Sequence, residues 1–256
     1  MKSVPKVAIV NYLNTLPFLH GLRSSGFVNE MELIEVMPSL CARYFNEQKV
    51  DISLVPVGAL TASPGSLFSP YGIACNGQVA SVCLLSEVPL QQIKTVLLDY
   101  QSRTSVLLIR ILFEKHWKLF PRFQAAGEGF EDTIRGNTAG LVIGDRALRM
   151  SPLYPHVFDL GQAWKAYTGL PFVFAVWMYN HKLEVDFIQR FNKALQFGLE
   201  HIDAVIHNNP SYDPPFLKHY FNRNIHYQLG PEYLEGMRLF FQEKQNLDAT
   251  LKVGLG

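Results

Sequence analysis

The chain has 256 residues, 48% of them apolar and 18% charged, with a formal net charge of +1. That composition supports a large buried core and excludes a disordered chain. The near-neutral balance excludes the basic stripe of a nucleic-acid binder, so any anion would be held by a few placed groups.

Residues 7–10 are a β-branched run, too short for the apolar core of a signal peptide. A helix is expected from Thr15 to Arg23, with Pro17 tolerated in its first turn. Glu32–Val36 reads as a strand, and Ser39 as the cap of a helix running to Gln48. DISLVPV, residues 51–57, reads as a buried strand that stops at Pro56. A second α/β unit starts near Ser81. SVCLLS is a strand and Thr95–Leu98 another, followed by a helix from Ser102 to Trp117 and a third strand over 139–143. FVFAVWM, residues 172–178, is long and apolar. Between Glu184 and His207, Phe187, Ile188, Phe191, Leu195, Leu199, Ile202 and Ile206 recur at three- and four-residue steps, the stripe of one amphipathic helix. A Pro-containing stretch over 208–215 breaks it, and a last helix is expected from Pro231 to Gln245.

Strands alternating with helices imply an α/β fold in which each unit is a mostly parallel sheet flanked by helices. No repeat or long linker separates the units, so the chain is expected to cross between them near 77–80 and 172–175. That gives lobe 1 as residues 1–78 plus 176–256 and lobe 2 as 79–175. No stretch reaches the roughly 18 apolar residues of a membrane span. Cys41, Cys75 and Cys83 form no CxxC pair and are odd in number, which fits core thiols in a reducing cytoplasm.

Five segments can carry chemistry. In DYQSRTSVLLIRIL a strand ends at Asp99 and Ser102 stands where an N-cap belongs. Thr104 and Ser105 fall in the first turn, where unpaired N–H groups and partial positive charge favour an anion. The same serine fits an ordinary cap on a buried helix. Arg103 either adds a charged fork to the anion or points to solvent. In VNYLNTLPF, Asn11 and Asn14 stand at the carboxyl end of a strand, where open α/β sheets bind ligands, although asparagine is equally a turn residue. NGQVASV reads as a hinge with a polar contact at Ser81, Gly77 permitting the bend. In LVIGDRAL, Gly144 allows close backbone approach to a ligand, and Asp145 either caps the next helix or acts on substrate. In WKAYTGLPFVFAVW, Trp164, Phe172 and Trp177 form either an aromatic wall for a ring-shaped ligand or core. The eight histidines show no metal-ligand spacing, and there is no GxGxxG, Walker lysine or GxSxG elbow, so no metal or cofactor is expected.

YLNTLPF, VDISLVPV, GQVASV, SRTSV, LVIGDRAL and TGLPFVFAVW also occur in the order and approximate spacing of one family. From about Val7 to Trp177 the chain resembles the chorismate dehydratases of the futalosine route to menaquinone; beyond Asn180 only helical character is shared. The resemblance implies a periplasmic-binding-protein-like fold of the second type, with the active site in the cleft between lobes. It implies a hydro-lyase that removes water from chorismate to give 3-[(1-carboxyvinyl)oxy]benzoate without a cofactor. Through YLN it implies Asn14 as the catalytic asparagine. Through SRTS it implies Ser102, Thr104 and Ser105 as the anion site, and through V-x-SV it implies Ser81. Tyr12, Gly144 and Asp145 carry over as further substrate contacts. No general base stands out in these motifs, which points to a carboxylate of the substrate as the proton acceptor. Two rival readings are the dihydroxynaphthoate synthase of the same route, whose motifs differ from SRTSV and TGLPF, and a non-catalytic small-anion binder.

Overall fold

The computed structural model describes residues 4–62, 66–180 and 183–253. Residues 1–3 and 254–256, which the sequence reading assigns to the first lobe, lie outside the described residues. In chain order the main elements are β1 (Lys6–Val10), α1 (Leu16–Ser24), β2 (Glu32–Val36), α2 (Pro38–Asn46), β3 (Ile52–Pro56) and β4 (Ser66–Cys75). Then come β5 (Val82–Ser86), β6 (Thr95–Leu98), α3 (Arg103–Ile111), β7 (Arg122–Ala125), β8 (Thr138–Ile143), α4 (Gly144–Met150), β9 (His156–Asp159) and α5 (Leu160–Thr168). The chain closes with β10 (Phe172–Tyr179), α6 (Val185–Glu200), α7 (Ile202–His207), α8 (Pro214–His219), β11 (His226–Gln228) and α9 (Pro231–Val253).

Two compact units result: residues 1–74 with 174–229, and residues 75–173 with 230–256. The first unit holds a six-stranded sheet in the order β11-β4-β10-β3-β1-β2. β1 pairs in parallel with β2 and β3, and β10 enters antiparallel to β3. Every residue of β3 is buried, as a strand covered on both faces requires. The second unit holds a five-stranded sheet, β7-β6-β8-β5-β9. Here β6 runs parallel to β7 and β8, whereas β5 runs antiparallel to β8 and β9. The mostly parallel expectation holds for β1, β2 and β3 and for β6, β7 and β8, whereas β10 with β3, β11 with β4, and β5 with β8 and β9 pair antiparallel.

The last helix departs from the sequence reading. Residues 230–253 group with the second unit rather than the first. The cause is aromatic packing: the Phe240 ring meets Phe172 at 5.2 Å and Trp164 at 6.3 Å, edge to face, and Tyr167 donates to Glu243 at 3.1 Å. Gly236 permits this approach, since a Cβ there would stand 2.1 Å from the Pro171 carbonyl oxygen. The expected helix over 184–207 is two helices broken at His201. The break shifts the buried stripe, so that Val205 is buried in the second piece and Ile206 is half-buried. Ser39 is not a cap: Met37 holds that position and Pro38 supplies the first helical residue, whose missing N–H needs no partner.

Candidate active site

In the second unit, register brings three separate segments to one end of the sheet. β6 and β8 are parallel, so the loop entering α3 and the loop entering α4 leave the same edge. β5 is antiparallel to β8, with Val82 opposite Ile143, so Ser81 stands at that edge too. The sequence candidates Ser81, Ser102, Arg103, Thr104, Ser105, Gly144 and Asp145 therefore cluster where an open α/β sheet takes its ligand.

Ser102 is the N-cap of α3, its Oγ accepting from the Ser105 N–H at 3.0 Å. Its hydroxyl also donates to Ser105 Oγ at 2.9 Å, leaving the Ser105 hydroxyl hydrogen to donate elsewhere. Ser102, Thr104 and Ser105 are buried, and Arg103 is exposed. The cap that the sequence offered as an alternative is thus real, and the buried hydroxyls of the first turn are packed around it.

Gly144 has φ +63°, a left-handed conformation that favours glycine, and its N–H donates to the Ser81 carbonyl at 2.8 Å. Asp145 is not the cap of α4, a place held by Ile143; it lies in the first turn, where a carboxylate complements the helix dipole. Ser81 is buried, and its hydroxyl donates to the Val79 carbonyl at 3.4 Å.

Two acids that motif reading passed over organise this end. Asp99 Oδ1 accepts from Gln101 N–H at 2.9 Å; Oδ2 accepts from Ile143 N–H at 3.2 Å and pairs with Arg146 at 2.6 Å. Arg146 also pairs with Glu131. Burial holds the Asp99 carboxyl above the usual carboxylate range, although these donors and the Arg146 charge pull the other way. Asp159 is buried as well and accepts from the backbone N–H groups of Val79, Ala80 and Gln162. Its carboxyl is likewise raised by burial against the pull of those bonds. The only sequence signal for Asp99 was its place directly after a strand.

In the first unit, Asn14 sits in a short 3-10 turn between β1 and α1. Thr15, fully buried, pins that turn by donating to the carbonyls of Val10 at 2.6 Å and Tyr12 at 2.7 Å. Tyr12 and Asn14 are half-buried. Asn14 Oδ1 is buried with no hydrogen-bond partner among the described residues, a state that buried polar atoms rarely keep. Trp164, Phe172 and Trp177 are all buried, so each is core in its own unit and none is an exposed wall. An open groove of about 610 Å³ bounded by Glu200, Lys218 and Arg223 lies elsewhere in the first unit and contains none of the candidate residues.

No group of three His, Cys, Asp or Glu side chains among the described residues could hold a metal ion, and no described helix is long and apolar enough to cross a membrane. The three cysteines are free and buried; desolvation pushes the Cys41 and Cys83 thiols up to about 12.

The chain is 28% identical to the chorismate dehydratase of Thermus thermophilus over 91% of its own length and 93% of that protein. Among solved structures, a protein from Archaeoglobus fulgidus aligns with a TM-score of 0.71 at 12% identity, over 96% of this chain and 98% of that one. A Candida albicans protein described as having the generic periplasmic binding protein fold aligns with a TM-score of 0.59 at 14% identity, over 97% and 90%. At such identities these two show the fold alone, which is periplasmic-binding-protein-like. A family model described as menaquinone biosynthesis matches residues 5–246, and the chain belongs to that family.

Proposed function

We propose that this chain is a hydro-lyase that converts chorismate to 3-[(1-carboxyvinyl)oxy]benzoate in the cytoplasm. The observation that carries this reading is the near-full-length likeness to a chorismate dehydratase. The local chemistry agrees with it. Chorismate is a dianion, and α3 offers a helix N-terminus with Thr104 and Ser105 hydroxyls in its first turn to receive one carboxylate. Ser81 and the Gly144 backbone stand at the same end of the second unit's sheet, and Asn14 is the asparagine that this reading assigns to catalysis.

Elimination removes the proton from the ring carbon that bears the ether and breaks the bond to the ring hydroxyl. The departing hydroxide takes a proton to leave as water, and the ring becomes aromatic, which supplies the thermodynamic drive. Asp99 holds the Gln101 and Ile143 N–H groups and Arg146, and this reading gives it that structural duty and not the role of base. In this reading a carboxylate of the substrate takes the proton and hands it to the hydroxide, while the protein fixes the geometry. Chromatography of purified protein incubated with chorismate tests it. Appearance of the carboxyvinyloxy benzoate supports the dehydratase; chorismate bound but unchanged supports a binder; failure to bind chorismate at all favours the naphthoate synthase.

A further inference from the structure

We infer that Asp159 is a positioning residue for the proposed elimination, holding Ser81 in place by clamping the two residues before it in a left-handed turn. This rests on the reading that Ser81 meets the substrate. Its structural premises stand apart from it.

Ala80 has φ +63°, a conformation that residues with a side chain adopt only when their surroundings impose it. The imposition is visible. Asp159 Oδ2 accepts from Ala80 N–H at 2.7 Å, and both of its oxygens lie 3.1 Å from the Val79 nitrogen. Oδ1 accepts from Gln162 N–H at 2.9 Å, so the same carboxylate caps α5. With two consecutive N–H groups drawn onto one carboxylate, the chain turns back so that Ser81 N–H meets the Val79 carbonyl at 2.8 Å. The Ser81 carbonyl then receives Gly144 N–H. A second observation comes from the first turn of α5. A Cβ at Gly161 would stand 2.5 Å from both Cys75 Sγ and the Gly77 carbonyl oxygen, so the loop before Ser81 is pressed onto this helix start. An N-cap needs one acceptor for its helix, and Asp159 does more than that. It links α5 to the backbone of Val79 and Ala80, and the carbonyl of the next residue, Ser81, is bonded to the other candidate loop.

Three proteins test the inference: Asp159→Asn, the double variant Asp159→Asn with Ala80→Gly, and Ala80→Val. Asparagine keeps one acceptor oxygen and replaces the other with an N–H donor, so it cannot hold the turn and cap α5 together. Glycine removes the cost of positive φ, and valine raises it without touching Asp159. Folding is checked by circular dichroism, and amide exchange across 77–82 is followed by mass spectrometry. The expected result is faster exchange in Asp159→Asn and a fall in kcat for chorismate on the order of tenfold to a hundredfold with little change in KM, as misplacement of a contact produces. The double variant recovers part of kcat, and Ala80→Val falls as Asp159→Asn does. Folded Asp159→Asn and Ala80→Val proteins with the parent's kcat would overturn the inference. So would a kcat loss that glycine at 80 does not relieve, which is the mark of a general structural defect. If Asp159→Asn does not fold, Ala80→Val decides alone. If the parent itself does not convert chorismate, the functional reading has failed, and the exchange data still report on the clamp.

Discussion

The turn that carries Asn14 and the loop that carries Ser81 occupy comparable places, each at a sheet edge, and they are held by different physics. In the first unit the restraint is mainly packing. Thr15 ties the turn to the end of β1, and α1 is pressed onto α6 so closely that a Cβ at Gly198 would stand 1.8 Å from the Pro17 carbonyl oxygen, and one at Gly21 1.9 Å from that of Ala194. In the second unit the restraint is polar. Two buried carboxylates, Asp99 and Asp159, gather backbone N–H groups from loops distant in sequence. Packing tolerates small shifts in many places, whereas a buried carboxylate fixes direction at a few atoms and is costly to leave half-bonded.

The largest effect is expected where Asn14 acts on the substrate. Asn14→Ala should lose turnover far more than binding, with a barrier raised by about 2–4 kcal/mol, the scale of one lost oriented donor. Unchanged kcat in a folded Asn14→Ala protein would return this residue to the role of a turn asparagine. Next comes the packing that carries it. Gly198→Ala should destabilise the protein by about 1–3 kcal/mol, because a methyl group meets backbone that cannot move aside, and the small gain in helix propensity does not offset it. Urea unfolding reads this directly, and an unmoved midpoint would show that α1 and α6 have slack.

Smaller effects belong to the second unit. Ser105→Ala and Thr104→Val should each weaken chorismate binding by about 1–2 kcal/mol, the scale of one hydrogen bond to a charged group, with the backbone N–H groups of the helix end still in place. Equal affinities by calorimetry would leave this helix end as a cap only. The smallest shift is in pH dependence. Burial holds the Asp159 carboxyl above its unfolded value, so the folded protein binds that proton more tightly. Its contribution to folding therefore improves as pH falls into the window between the two values and weakens as pH rises through it. The stability of the parent relative to Asp159→Asn should accordingly increase on mild acidification; a difference that shrinks would contradict this.

Local signals made part of this legible in the sequence. The strands β1, β2, β3 and β6 and the Ser102 cap follow from β-branched runs and cap chemistry within a few residues, and the structure has them where the pattern puts them. What was not legible is non-local. β4 carries glycine and proline and does not read as a strand until β10 and β11 stand beside it. α9 joins the second unit through Phe240, whose partners Trp164 and Phe172 no periodicity names. The carboxylate of Asp99 meets a backbone N–H 44 residues away, and that of Asp159 meets one 80 residues away. An acid after a strand or before a helix looks like a cap in sequence, and only the fold shows what else it holds.

Single turnover tests the central claim most directly: protein in excess over chorismate, with a chelator present, quenched at intervals and analysed for product. The expected result is conversion of all the chorismate to 3-[(1-carboxyvinyl)oxy]benzoate without an added metal ion or nucleotide. Chorismate recovered intact from folded protein, or conversion that appears only when a divalent ion is restored, would contradict the claim that this chain's own residues and the substrate's carboxylate suffice.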